Sequence, residues 1–454
     1  MKKYVLIVMV VASLMSSCIS VKEENSQYTE IDSKLEGTLS SSFPNKGKES
    51  LVLPNSDELD KIPQDPKNPL TIEKIALGKL LFHETSVGRN SVKVSGALTY
   101  SCSSCHHTEA GFQSCLPQGI GEGGVGYGIN GEKRTLNNLY KDSEIDVQPI
   151  RTPSILNVAY HTNVLWNGQF GSTNLNLNTQ SNWIKGTPKE NNFLGYEGIE
   201  TQAIAAQDLH RIQVSKIVLD EIPAYREMFK KAFPSMNVND NYQLKINTAL
   251  AIAAYERTLL ATEAPFQKWL RGDFSAMTNS QKEGAILFFS KAECYYCHSG
   301  PSLASMNFYA VGMDDLKNGF YGTHKVVSVT DNKPEHKGRG GFTGRAEDMY
   351  KFKVPQLYNL KDSPFYGHGA SFTKIEEVIT YKAKGTAQNK NVPTSQISPQ
   401  FKPHDLTVDE ILKITDFIKN GLYDPNIKRY APQKLPSGLA FPNNDTQSKN
   451  DLGF

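Results

Sequence analysis

Cys102-Ser103-Ser104-Cys105-His106 decides how this chain is read, and the pattern returns as Cys294-Tyr295-Tyr296-Cys297-His298. Two thiols separated by two residues and followed at once by an imidazole is the spacing of a c-type haem attachment site. The chemistry sets the spacing. Two thioether bonds tie the haem vinyls to the backbone, and the next residue's imidazole is carried beneath the iron as its proximal ligand. A lone Cys-x-x-Cys also suits zinc or redox chemistry, and two such pairs can make a four-cysteine zinc site. The immediate histidine in both copies favours haem. Cys102, Cys105, His106, Cys294, Cys297 and His298 are therefore expected to hold two covalently bound c-type haems.

The remaining composition narrows the setting. A chain of 454 residues has room for two or three domains, and 39% hydrophobic content suffices for real cores. A net charge of +2 with no extended basic run beyond the start argues against a nucleic-acid partner. Residues 1–18 read as a lipoprotein signal peptide. Lys2 and Lys3 precede a short apolar run, Tyr4 to Ala12, too short to span a membrane. Leu14-Met15-Ser16-Ser17-Cys18 then resembles a lipobox, with Cys18 the lipidated residue; ordinary cleavage nearby is the alternative. Either way the protein is exported, as a periplasmic or outer-membrane-anchored lipoprotein whose membrane partner is reached through the lipid. Four cysteines hold haem and Cys18 takes lipid, which leaves Cys115 as a buried or free thiol.

Along the chain, residues 19–69 are rich in Ser, Lys, Glu, Asn and Pro and read as a flexible tether. Folding is expected to start near Thr71, with Ile72, Ile75, Ala76 and Leu80 at helical spacing. Gly119 to Asn130 is dense in Gly and predicts a loop without regular structure. A helix is expected over roughly Asn247 to Leu260. Thr278-Asn279-Ser280-Gln281 and Thr407-Val408-Asp409-Glu410 are capping boxes that open two more, the latter stopped by Gly421. Residues 431–454 read as a loose tail. No strand-rich block is present, so the fold is mainly α, with long loops, little β and two haems.

These landmarks in order resemble the bacterial di-haem cytochrome c peroxidase family, which includes the di-haem enzyme of methylamine utilisation. The resemblance runs from about Leu70 to Tyr423. It rests on Leu77-Gly78-Lys79-Leu80-Leu81-Phe82, on Cys102 to Phe112, and on Thr152-Pro153-Ser154-Ile155-Leu156-Asn157 followed by Trp166-Asn167-Gly168. Ala254 to Leu259, Phe352 to Leu357 and Pro364 to Gly369 complete it. It implies two cytochrome c-like haem domains packed against each other: a peroxidatic domain over 70–272 and an electron-entry domain over 273–430. It further implies that the N-terminal haem meets hydrogen peroxide and that the C-terminal haem takes electrons from a small c-type cytochrome or cupredoxin. Trp166 becomes the relay between them, and a homodimer is a family-level expectation.

Three departures matter. The family's second histidine, which caps the resting N-terminal iron, has no counterpart, because no His lies between His107 and His161. The family's acid–base Glu after a Gln-Ala pair is missing too. Gln202-Ala203 is followed by Gln207, Asp208, His210 and Arg211, so His210 is the first acid–base candidate and Asp208 the next, with Glu197 and Glu200 upstream. Family register places the distal ligand of the second haem at Ser371 or Phe372, neither of which binds iron well. His368 is the leading substitute, with Tyr366, Met349 and Met313 as others. The family's calcium ion is a further candidate cofactor; Arg151 replaces its Asn ligand, and carbonyls near Lys353 and Pro355 remain.

The leading reading is a di-haem peroxidase. A relative that oxidises a protein side chain or small molecule through high-valent iron is one alternative, and a non-catalytic di-haem electron carrier is another. From the absent capping histidine the N-terminal haem is expected to have an open distal side without prior reduction. The oxidised protein should show a high-spin component by electron paramagnetic resonance; a purely low-spin spectrum would contradict this.

Overall fold

Side chains set where the helices begin. In the computed structural model, which describes residues 28–454, the Thr71 hydroxyl accepts the Lys74 N–H at 3.2 Å. Thr278 with Gln281, and Thr407 with Glu410, close reciprocal capping boxes as the sequence predicts. The helices are α1 (Glu30–Ser42), α2 (Ile72–His83), α3 (Gly198–Leu209), α4 (Lys216–Glu221), α5 (Pro223–Ala232), α6 (Asn241–Arg257), α7 (Pro265–Leu270), α8 (Asn279–Phe288), α9 (Arg339–Thr343), α10 (Ile375–Lys384), α11 (Val408–Asp416) and α12 (Thr446–Leu452). Strand content is confined to three antiparallel two-stranded pairs: Gly124–Val125 with Thr135–Leu136, Phe308–Tyr309 with Phe352–Lys353, and Gly319–Tyr321 with His324–Val326. The fold is mainly α, as expected. No described helix is long and apolar enough to cross a membrane. The signal segment and Cys18 lie outside the described residues.

Two helix crossings carry the core, and both need glycine. A methyl group on Gly78 of α2 would stand 1.8 Å from the Ala251 carbonyl oxygen of α6. One on Gly284 of α8 would stand 2.0 Å from that of Lys413 in α11. Bare Cα atoms let these backbones touch. The arrangement around them occurs twice. α2 leads into the first Cys motif, then Pro153 to Asn157 with Asn157 at φ 57°, an antiparallel bridge Val164–Phe170, then α3 and α6. α8 leads into the second motif, then Pro355 to Asn359 with Asn359 at φ 54°, a bridge Tyr366–Phe372, then α10 and α11.

Four expectations from the sequence are corrected. Residues 28–69 are no tether: Leu35, Leu39, Leu51 and Leu53 are wholly buried, and Ile62 nearly so. The Ser/Lys/Glu composition hid a few large apolar residues, enough to dock a helix on a preformed groove. α1 lies against α8, with Asp32 bonded to Lys282 at 2.6 Å and to the Trp269 indole at 2.7 Å. The tail of residues 431–454 is also built in. Leu435, Ala440, Asn443 and Ser448 are buried, and the Pro442 carbonyl accepts from the hydroxyls of Ser101 and Ser104 beside the first motif. Gly119 to Asn130 is a buried loop containing a strand; its glycines permit close approach, a Cβ at Gly119 falling 3.2 Å from the Cys105 sulfur. The helix expected from Asn247 starts at Asn241, capped by Asp240.

Burial works against ionised Asp32, but bonds from Lys282, Thr29 and Trp269 prevail and hold its carboxyl down at about 2. Its contribution is therefore full above the ordinary carboxylate range and lost as pH falls from 3.8 toward about 2. Lys282→Met is expected to cost about 3 kcal/mol in urea unfolding at neutral pH, because it strands a buried carboxylate. A cost below about 1 kcal/mol would refute this role for the pair.

Candidate functional site: a cavity joining two Cys-x-x-Cys-His motifs

Each motif forms a short 3-10 turn, Cys102–Ser104 and Cys294–Tyr296, in which the cysteine pair is brought to one side and the histidine is turned inward. His106 Nδ1 donates to the Phe112 carbonyl at 3.2 Å, and His298 Nδ1 to the Leu303 carbonyl at 2.9 Å. A ring nitrogen so engaged fixes the tautomer and leaves Nε2 as the lone-pair donor. Phe82 of α2 and Phe288 of α8 flank these rings at 6.4 and 6.3 Å. Burial pushes both imidazoles down to about 4, so they stay neutral and able to ligate.

Both motifs open into one cavity of about 2960 Å3, counted out to its solvent mouths. Cys102, Cys105 and His106 line one lobe, and Cys297 and His298 the other. All four motif thiols are free, and among the described residues no three His, Cys, Asp or Glu side chains converge on a common point. The four-cysteine zinc arrangement is thereby excluded, since the two pairs do not meet.

Two buried cations without an acidic partner stand between the lobes. The Arg151 guanidinium bonds to Gln113 Oε1, the Ser114 carbonyl and Ser363 Oγ, and its Nε has no partner. The Lys353 ammonium donates to the Val354 carbonyl at 2.7 Å and lies 3.5 Å from His161 Nδ1. Burial lowers Arg151 to about 10 and Lys353 to about 7. An unpaired buried cation is costly, so these positions suit a bound group that carries its own carboxylates, as haem does through its propionates. Cavity, thiols, imidazoles and orphaned cations together fit two haems.

Trp166 lies at the junction. Leu165 takes φ 72°, a left-handed conformation rare for a branched residue, and turns the next side chain into the cavity. The Trp166 indole donates to the Arg151 carbonyl at 2.7 Å, and its own carbonyl accepts from Lys353 N–H at 2.8 Å. The tryptophan from the first half is thus tied to the strand of the second.

The other candidates separate cleanly. His210 lines the first lobe with Nδ1 2.9 Å from Asp146 Oδ1. Burial alone would lower its pKa, but the Asp146 charge and hydrogen bond outweigh this and raise it. Asp208 is corrected: it is exposed, turns away from the cavity and pairs with Lys245 at 2.5 Å. Glu197 and Glu200 are bound to Arg257 at 3.0 and 2.7 Å, outside the cavity. His368 lines the cavity with its Nε2 on Asp315 at 3.0 Å and its ring stacked on Phe352 at 3.7 Å, which leaves Nδ1 as its only nitrogen for ligation. The Tyr366 hydroxyl donates to the Leu360 carbonyl, Ser371 bonds to Gln388, and Phe372 packs with Tyr381. Met349 lies against Gly340, outside the cavity; Met313 lines it. Cys115 is fully buried with its thiol on the Asp362 carbonyl, as expected of a spare cysteine.

Sequence reasoning passed over two residues. Glu256 lines the first lobe, and among the described residues no hydrogen bond reaches its carboxyl, which burial, then Glu200, push up to about 8 against Arg257. Lys382 lines the second lobe from α10. Glu256 sits one residue beside a recognisable helix stripe and Lys382 at the end of one, and only the cavity distinguishes either from a surface position.

Comparison with known proteins points the same way. A family model described as di-haem cytochrome c peroxidase matches residues 72–275. The methylamine utilization protein MauG of Methylorubrum extorquens is 27% identical over 374 residues, covering 81% of this chain and 83% of that one. Cytochrome-c peroxidase IdrP1 of a Pseudomonas species is 28% identical over 403 residues, covering 83% and 90%. Cytochrome c551 peroxidase of Nitrosomonas europaea is 27% identical over 379 residues, covering 83% and 86%. Among solved structures, a MauG-like protein associated with microbial copper homeostasis superposes with TM-score 0.54 at 23% identity, covering 84% of this chain and 97% of that one.

Proposed function

Because this chain belongs to the di-haem cytochrome c peroxidase family, we propose that it reduces hydrogen peroxide to water with electrons from a small c-type cytochrome or cupredoxin. The observation that carries the reading is the single cavity lined by both motifs, with Trp166 at its waist. Haem, when bound, supplies the redox couple, and two of them together match the two electrons that one peroxide consumes. Cys102 and Cys105, and Cys294 and Cys297, would hold the haems, with His106 and His298 as the iron-binding imidazoles and Arg151 and Lys353 to meet the carboxylates. Residues 70–272 make the peroxidatic unit and 273–430 the electron-entry unit. Signal-directed export with lipid on Cys18 places both outside the cytoplasm.

Reduction of peroxide also needs a proton moved from one oxygen to the other. Asp146 holds the Nδ1 hydrogen of His210, which leaves Nε2 to take that proton and return it to the departing oxygen. His210 reaches the first lobe closely enough for its charge to be felt at His106. Glu256, whose charge is felt at Cys102, is the second protonatable group there. Arg151, in place of the family's Asn ligand, and Lys353 put cationic groups between the lobes, which disfavours the family's calcium ion there.

Two measurements test this. Mixing the holoprotein with peroxide and a reduced donor cytochrome is expected to give rapid donor oxidation, undiminished by a calcium chelator. A long-lived oxidised spectrum without donor turnover would favour side-chain oxidation instead, and no reaction an electron carrier. For the proton step, His210→Gln should lower kcat/KM about 100-fold. Because the carboxylate raises the His210 pKa, activity should fall as pH drops through that raised value, and Asp146→Asn should move this acid limb to lower pH. An unchanged rate in His210→Gln with loss in Glu256→Gln would transfer the role to Glu256.

A further inference from the structure

The second lobe contains an amine that nothing in the protein uses. Lys382 extends from α10 on the stripe Ile375, Val378, Ile379 and Lys382, which lines the cavity. No hydrogen bond or ion pair reaches its ammonium nitrogen among the described residues; its nearest partner is the Phe401 ring face, 5.3 Å from the centroid. Burial pushes this amine down to about 8, and the thiols of Cys297 and Cys294 oppose the shift. Those thiols are uncharged once linked as thioethers, which further favours the neutral amine.

Two observations separate Lys382 from the other orphaned cations. The first is its edge of the lobe. Its charge bears on Cys294, Cys297 and His298, whereas that of Lys353 bears on His298 but on neither cysteine, and that of Arg151 on none of the three. Haem vinyls and propionates lie on opposite edges of the macrocycle, so a cation beside the cysteines is on the wrong side to meet the propionates. The second is its face. His298 is backed by Phe288 of α8 and held from behind by the Leu303 carbonyl. α10 stands to the second motif as α3, carrying Gln202 and Ala203 into the first lobe, stands to the first.

We propose that the Lys382 Nζ is the sixth ligand of the C-terminal haem iron, opposite His298. The inference rests on the di-haem reading above. The step is a coordination: the ammonium loses its proton to solvent, and the nitrogen lone pair forms the bond to iron with no change of oxidation state. Of the other side chains in reach, the Tyr366 hydroxyl is given to the Leu360 carbonyl and His368 is held by Asp315 through Nε2, which leaves His368 Nδ1 and the Met313 thioether as the rivals.

The test is spectroscopic, on oxidised holoprotein with both haems confirmed by mass. Near-infrared magnetic circular dichroism and electron paramagnetic resonance should show one low-spin haem with two nitrogen ligands and no thioether-to-iron band. Lys382→Met should introduce that band and raise the potential of the C-terminal haem. Lys382→Ala should make this haem high-spin, and added imidazole should restore low spin. A thioether band in the unaltered protein would overturn the proposal in favour of Met313, and an unchanged low-spin signal in both variants would overturn it in favour of another nitrogen or oxygen. A product without added haem mass would instead sink the di-haem reading itself.

Discussion

Two hydrogen bonds, from His106 Nδ1 to the Phe112 carbonyl and from His298 Nδ1 to the Leu303 carbonyl, set the frame on which the rest depends. Each pins an imidazole so that a single lone pair points into the cavity. Once two such nitrogens are fixed, the cysteines beside them, the phenylalanines behind them and the helices facing them have little freedom. Burial keeps both rings neutral, and neutrality is the condition for ligation.

Charge placement follows from the same cavity. Lining a space of this size with only apolar side chains would serve a neutral ligand. Here Arg151, Lys353 and Lys382 project into it without carboxylates to meet them, while of the acids in its lining Asp146 is taken by His210 and Glu256 is pushed by burial toward its neutral form. A protein folded around such cations holds its anions in reserve, on the cofactor. The position of each cation then reports which edge of the macrocycle it serves.

What could be read from the chain was local, and what could not was long-range. Cys102 to His106 and Cys294 to His298 declare themselves because all the needed atoms lie within five residues. Capping at Thr71, Thr278 and Thr407 is equally short-range. The docking of Leu35 and Leu39 escaped notice because a hydrophilic segment needs only a few apolar anchors when its partner surface already exists. Asp208 and His210 look alike in sequence, two residues apart near a helix end, yet one faces Lys245 and solvent and the other the cavity. Lys382 was hidden for a different reason: a lysine on an amphipathic helix is ordinarily solvated, and only the enclosing lobe gives its amine a task.

The two ends of the polypeptide are crossed over. Residues 28–53 lie on α8, which leads into the second motif, and on α7 just before it, while Pro442, Asp445 and Asp451 fasten the C-terminal segment to Ser101, Arg134 and Tyr127 in the half that holds the first. Each half thus takes its outermost covering from the far terminus. Cutting between residues 272 and 273 would give no pair of self-sufficient modules, since either fragment would leave with the wrong lid. The halves are interlocked like clasped hands, so their separation is held by chain topology as well as by the surface between them.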